Sequence, residues 1–231
     1  MTPIDTTLIQ VIASRCGVTV RQAEHTVQLL AEGATVPFIS RYRKERTGGL
    51  DEVQVSAVKV QFERLSELEK RKETILASID EQGKLTPELR MKIEQCYEGA
   101  PLEDLYLPYR PKRRTRATVA REKGLEPLAA MLMRQDGARP DRLAERFVGG
   151  EVHDLQEALD GACDIIAEWV SESEAARSAM RRLFTREGVI SARVVKGKEQ
   201  EGAKYSDYFD WSEPLRRVAA HRLLAMVRAE R

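Results

Sequence analysis

The sequence is poor in what β-sheets, disulfide scaffolds and membrane spans are built from. Aromatic residues make up only 6% of the chain. Runs that alternate apolar with polar residues are short, so strands are expected to be scarce. Cys16, Cys96 and Cys163 are odd in number, lie far apart and include no CxxC pair. That pattern excludes a disulfide framework and a zinc ribbon, and implies three reduced thiols. No apolar stretch approaches the ~20 residues that a membrane span needs. The first ten residues carry Asp5 and lack a basic start followed by an apolar run, so they do not read as a signal peptide. A soluble cytoplasmic protein is expected. Net charge is nearly absent too, with 38 Lys and Arg against 37 Asp and Glu. Where charges cluster therefore matters more than their sum.

Signatures of chemistry are also missing. His25, His153 and His221 stand alone, outside any HExxH pattern. Gly197-Lys198 and Gly202 do not form the GxxxxGK[ST] loop that cradles phosphates, and no GxSxG occurs. Asp160, Asp164 and Glu168 share one helix face at i, i+4 and i+8. Such carboxylates can hold a divalent metal for phosphodiester cleavage. The spacing equally places them on a solvated face opposite the apolar stripe, and that reading is preferred. No enzymatic activity, cofactor or metal is expected.

What the sequence does have is helical periodicity almost throughout, and the expected class is all-α. Leu8, Ile9, Ile12 and Cys16 fall on one face of a first helix. Gly17 can take the left-handed conformation that ends it. Thr19 then caps a second helix, with Gln22 completing a capping box. This is the pattern of a helix-turn-helix, assigned to residues 1–49. Its second helix offers only Arg21 and His25 as basic residues, beside Glu24, so it is a poor candidate for reading a DNA groove. Residues 50–231 read as a helical scaffold. It opens with one long helix over about 50–82, where Val55, Val58, Phe62 and Leu65 start a stripe that Ile75 and Ile79 extend. Gly83 stops that helix, and Thr86-Pro87 starts the next. Residues 154–172, 174–187 and 215–230 read as further helices. The segment 189–204 fits a helix or a short hairpin, and helix is the preferred reading.

Two clusters of cations are candidates for binding. Residues 110–123, RPKRRTRATVAREK, hold seven cations and one acid. Pro108 and Pro111 keep the backbone extended, so that Lys112, Arg113, Arg114 and Arg116, with Arg121 beyond, fan outward. Arginine suits phosphate because its planar fork donates two parallel hydrogen bonds, and released counterions supply affinity without sequence preference. The competing reading pairs these cations with acids on a neighbouring helix. The second cluster is Arg41, Arg43, Lys44 and Arg46, interleaved with Tyr42. An aromatic among arginines can stack on a base. It can equally pack in a domain joint, and Val36, Pro37, Phe38 and Ile39 just before it favour that structural reading.

Several longer runs carry a resemblance. VPFISRYRKERTGGLDEVQ (36–54) and LEDLYLPYRPKRRTRATVAREKGLEPLA (102–129) resemble signatures of Tex-like bacterial transcription accessory proteins. ILASIDEQGKLTPEL (75–89), ALDGACDIIAEW (158–169), VVKGKEQEGAKYSDYFDWSEPL (194–215) and HRLLAMVRAE (221–230) follow in the family's order. One departure is Arg228-Ala229-Glu230, where the family pattern has Arg-Gly-Glu. The resemblance implies a cytoplasmic protein with an elongated helical scaffold. In the family that scaffold carries a helix-turn-helix region, a ribonuclease-H-like domain, helix-hairpin-helix modules and an S1 domain that contributes most of the nucleic-acid binding. It further implies that this chain is the N-terminal region, ending near where the ribonuclease-H-like domain begins. The expected function is a non-catalytic scaffold in transcription that docks sequence-tolerantly on RNA or DNA phosphates. Lys112, Arg113, Arg114, Arg116 and Arg121 form the main patch, and Arg41, Arg43 and Lys44 a secondary one. The alternative is a protein-interaction module that docks on RNA polymerase or on the protein's own downstream domains.

Overall fold

The computed structural model describes residues 6–229. Its residues group into two compact units, one ending at Tyr109 and the other beginning at Arg110.

The first unit is organised by one helix. Helices α1 (Thr6–Cys16) and α2 (Val20–Ala31) are joined by a tight turn in which Gly17 takes φ +65°. Thr19 caps α2, and Gln22 completes the capping box, as the spacing predicts. Helices α3 (Val36–Tyr42) and α4 (Lys44–Thr47) follow, separated by a break at Arg43. Then comes α5 (Glu52–Glu81), 30 residues long and capped by Asp51. Helices α6 (Pro87–Glu94) and α7 (Gly99–Tyr106) complete the unit. The stripe on α5 meets three apolar clusters in turn. Val55 packs with Leu29, Ile39 and Leu50. Val58 and Leu65 pack with residues of α1 and α2. Ile75 and Ile79 pack with Ile93 and Leu102. Each fully buried aliphatic side chain contributes about 1.5–3 kcal/mol.

Lys72 is the unexpected member of that stripe, being only 2% exposed. Its ammonium donates to Glu69 Oε1 at 2.8 Å and to the Glu94 carbonyl at 2.7 Å, and it lies 4.3 Å from the centroid of the Tyr97 ring. Glu94 ends α6, so this cation satisfies a carbonyl left unpaired by the helix terminus.

The second unit is built on α8 (Arg116–Glu122), α9 (Glu126–Met133), α10 (Pro140–Ala144), α11 (Leu155–Glu172) and α12 (Glu174–Glu187). Its core gathers small residues from α8 and α11, namely Ala117, Ala120, Ala158 and Ala162, around Leu125, Leu128 and Ile165. A Cβ at Gly161 would lie 2.5 Å from Leu125 Cδ1 and 3.2 Å from Ala120 Cβ, so glycine sets how closely α11 approaches its neighbours.

Two local expectations are corrected. The segment 189–204 is not helical apart from Ala203 and Lys204, which begin a short 3-10 helix, Ala203–Tyr208. Strand β1 (Val189–Arg193) pairs antiparallel with β2 (Asp210–Pro214), with Val189 opposite Pro214 and Arg193 opposite Asp210. β-branched Val189 and Ile190 favour this pairing. The basic stretch is extended only as far as Thr115. Thr115 accepts from the Thr118 amide at 3.1 Å and thereby starts α8, so Arg116 and Arg121 are helical residues. Helix α13 (Ala220–Ala229) closes the described chain. Among the described residues, no helix is long and apolar enough to cross a membrane.

Candidate nucleic-acid interface

The two cation clusters differ in one respect that sequence did not reveal: whether acids neutralise them.

In the second unit, α8 packs on α11 and brings its cations over a row of acids. Asp160, Asp164, Glu168 and Glu172 recur every four residues along α11. Lys112 Nζ lies 3.1 Å from Glu168 Oε1 and 2.5 Å from Glu172 Oε1. Arg121 Nη1 lies 2.7 Å from Glu168 Oε1. Thr115 Oγ1 donates to Glu168 Oε2 at 3.1 Å. Glu168 is thus a hub, with its side chain only 10% exposed. Burial alone pushes its carboxyl pKa up. Hydrogen bonds from Arg121, Lys112 and Thr115 outweigh burial and hold it below the usual carboxylate range. For Lys112, burial acts downward, but Glu172 and Glu168 outweigh it and raise the ammonium above its ordinary value. Lys123 pairs with Glu157, which also accepts from the His153 amide at 2.8 Å.

The outer cations of this cluster are held more loosely. Arg114 pairs with Glu122 at 2.6 Å and Arg116 with Asp164 at 3.3 Å, yet both arginine side chains are largely exposed. Exposed pairs of this kind contribute about 0–1 kcal/mol. Arg113 is exposed and makes no ion pair among the described residues. Of the carboxylates considered for a metal, Asp164 and Glu168 pair with this cation cluster, and Asp160 accepts from Gln156 Nε2 at 2.8 Å. Among the described residues, no group of three His, Cys, Asp or Glu side chains is placed to hold a metal ion.

The cluster at 41–44 is arranged differently. Thr35 caps α3 by accepting from the Phe38 amide, and Ile39 and Ser40 are buried. That fixes the inner face and turns Phe38, Arg41 and Tyr42 outward, at i, i+3 and i+4. Tyr42 is 63% exposed and Phe38 40%. Their ring centroids are 5.6 Å apart, and the Arg43 guanidinium lies 4.9 Å from the centroid of the Phe38 ring. Arg41, Arg43 and Lys44 make no ion pair among the described residues, whereas Arg46 reaches Glu32 at 3.9 Å. The packing expected of this segment resides in Ile39 and Ser40, and Tyr42 stands clear of it.

The second helix of the helix-turn-helix pattern uses its polar groups internally. Gln22 serves the capping box and also donates to the Gly48 carbonyl at 3.1 Å. His25 Nδ1 lies 2.6 Å from the Arg46 carbonyl oxygen. Two side chains that a groove-reading helix would offer to bases therefore bind the protein's own backbone.

Residues 6–80 match the Tex-like protein N-terminal domain, and residues 135–231 match the Tex central region-like model. The chain is 43% identical over 221 residues to transcriptional accessory protein Tex of Neisseria gonorrhoeae, covering 96% of this chain and 29% of that protein. It is 45% identical over 223 residues to Protein tex of Bordetella pertussis, covering 96% and 28%. A more distant relative is S1 RNA-binding domain-containing protein 1 of Pongo abelii, 27% identical over 239 residues and covering 96% and 23%. The chain thus spans less than a third of the length of these relatives. Two matched models in family order and this level of identity establish that the chain belongs to the Tex family.

Proposed function

We propose that this chain is a cytoplasmic, non-catalytic helical scaffold that associates with nucleic-acid backbones in transcription. The names of the bacterial relatives support the setting, and the name of the more distant one supports an RNA partner. One observation carries the contact itself. Arg41, Arg43 and Lys44 are three neighbouring cations with no acid neutralising them among the described residues. Their charge is available to phosphates, and counterion release then gives affinity without sequence preference. Arg113 and the loosely held Arg114 and Arg116 add to it, whereas Lys112 and Arg121 are engaged by Glu168.

The test is fluorescence anisotropy with labelled RNA and DNA at two salt concentrations. Three phosphate contacts on a single strand give a log–log salt slope of about −2, so raising salt fourfold weakens binding by roughly 15-fold. Arg41→Gln, Arg43→Gln and Lys44→Gln together should remove that share of the slope, leaving only what Arg113, Arg114 and Arg116 supply. Absence of binding at low salt by the unmodified chain would overturn the proposal.

A second reading rests on its own observation. Met180, Leu183 and Phe184 on α12, with Leu224 and Val227 on α13, are exposed apolar side chains. They suit docking to a protein such as RNA polymerase or a downstream domain. Co-purification that depends on Phe184 and not on salt would favour this reading.

A further inference from the structure

The α3 surface has a feature that phosphate binding leaves unused: two exposed aromatic rings beside three cations. An exposed tyrosine ring has no folding benefit equal to a buried one, since about 25 cal/mol for each Å² of apolar surface is gained only on burial. Yet the ring is not loosely placed. Its helix is pinned by Ile39, which is fully buried with Leu29, Leu50 and Val55. The Phe38 ring stands 5.6 Å away, and Arg43 covers Phe38 while its Nη1 donates to the Tyr42 carbonyl at 3.0 Å. The backbone leaves the helix at Arg43, with φ −131° and ψ 26°. Arg41 and Lys44 then flank the ring on both sides in sequence. Glu45 is the one acid between Val36 and Thr47.

We propose that Tyr42, backed by Phe38 and Arg43, is a stacking platform for one unpaired base, with Arg41 and Lys44 on the flanking phosphates. The inference rests on the backbone-association reading and adds a selectivity to it. In a duplex the base faces are covered by their neighbours, so an outward-facing ring on a convex helix reaches only backbone. In a single strand a base can turn out and lay its face on the ring, and every base has such a face. The platform therefore selects single strands over duplexes and is tolerant of sequence. Contacts to cations act on both kinds of strand; the contact to Tyr42 acts on one.

The test uses the full chain with single-stranded RNA and DNA carrying 2-aminopurine, and with hairpins closed by a non-nucleotide linker, so that every base is paired, having the same number of phosphates. Tyr42→Ala, Tyr42→Phe and the Arg41, Arg43, Lys44 triple Gln variant are compared. The unmodified chain and Tyr42→Phe should quench the 2-aminopurine, because a stacked base loses fluorescence to the ring beneath it. Tyr42→Ala should lose the quench and at least about fivefold affinity for single strands, and keep its affinity for hairpins. Tyr42 is exposed, so circular dichroism and melting temperature should be unchanged. If Tyr42→Ala binds single strands as tightly as the unmodified chain, or weakens on hairpins equally, while the triple variant still loses binding, stacking is refuted and backbone association stands. If the unmodified chain binds nothing at low salt, both fall.

Discussion

Replacing Glu168 by Gln removes one negative charge from beneath Lys112 and Arg121. Its carboxylate now accepts from Arg121, Lys112 and Thr115, at 2.7, 3.1 and 3.1 Å. The amide keeps the shape but offers one oxygen, and it turns an N–H₂ toward donors. A hydrogen bond to a charged group is worth about 1.5–3 kcal/mol, and fully buried pairs lose about 3–5 kcal/mol when one member is removed. Glu168 is mostly buried, but Lys112 and Arg121 are each close to one-third exposed, so water recovers part of the loss. The expected cost is about 2 kcal/mol at pH 7. For a cooperative unit of roughly 120 residues this lowers the melting temperature by about 8 °C. The pH dependence gives a sharper test. Glu168 has a lowered carboxyl pKa in the fold, so its contribution is fully present above the ordinary carboxylate range. It is lost as pH falls through the lowered value. The difference between variant and unmodified chain should therefore shrink toward zero at the acid end of the range. Differential scanning calorimetry at a series of pH values measures both effects. A deficit below about 2 °C at pH 7, or one independent of pH, would refute the hub.

Lys72 provides a second test of the same reasoning. Lys72→Ala should lower stability by about 2–3 kcal/mol in urea denaturation, because it opens a gap and strands the Glu94 carbonyl. Lys72→Met fills the space but still leaves the Glu94 carbonyl unpaired, so it should recover only the packing part of that loss, roughly 1 kcal/mol. Equal losses would mean that charge, not packing, dominates there. Gly161→Val should cost about 3 kcal/mol through overpacking against Leu125 and Ala120, read as a fall in melting temperature of the second unit. A neutral result would show that α8 yields more readily than its alanine-rich contact suggests.

The helical class was legible because the 3-4-3 stripe on α5 and the caps at Thr19 and Thr86 are local signals, each complete within a few residues. The hairpin was not, because β1 finds its partner 17 residues further along, and neither strand buries a residue fully. Helix α8 was hidden by its own composition. A run of seven residues rich in arginine reads as loop until Thr115 is recognised as its cap. The pairing of Lys112 and Arg121 had a visible counterpart in the acids at 160, 164 and 168, spaced by four. Sequence showed that those acids share a face, but not that α8 lies against it. Nor could sequence settle Tyr42. The apolar residues before it mark a packed helix, yet which face packs depends on where α5 lies.

With net charge near zero, what distinguishes one cation of this chain from another is whether an acid neutralises it and how deeply that pair is buried. Within the basic cluster of the second unit, this divides the residues by depth. Lys112 and Arg121 share a mostly buried carboxylate, and replacing either by Ala should lower stability by about 1–2 kcal/mol. Arg114 and Arg116 pair at the surface, where the gain is small and screened by salt. Their alanine variants should melt within about 1 °C of the unmodified chain. Phosphates compete easily with Glu122 and Asp164 for such exposed guanidiniums, and poorly with Glu168 for the inner ones. If the second unit touches nucleic acid, Arg114→Ala and Arg116→Ala should therefore weaken binding without changing melting. Lys112→Ala should change melting with little separate effect on binding. Melting and anisotropy measured on the same four variants separate the two roles, and the opposite assignment would refute the division by depth.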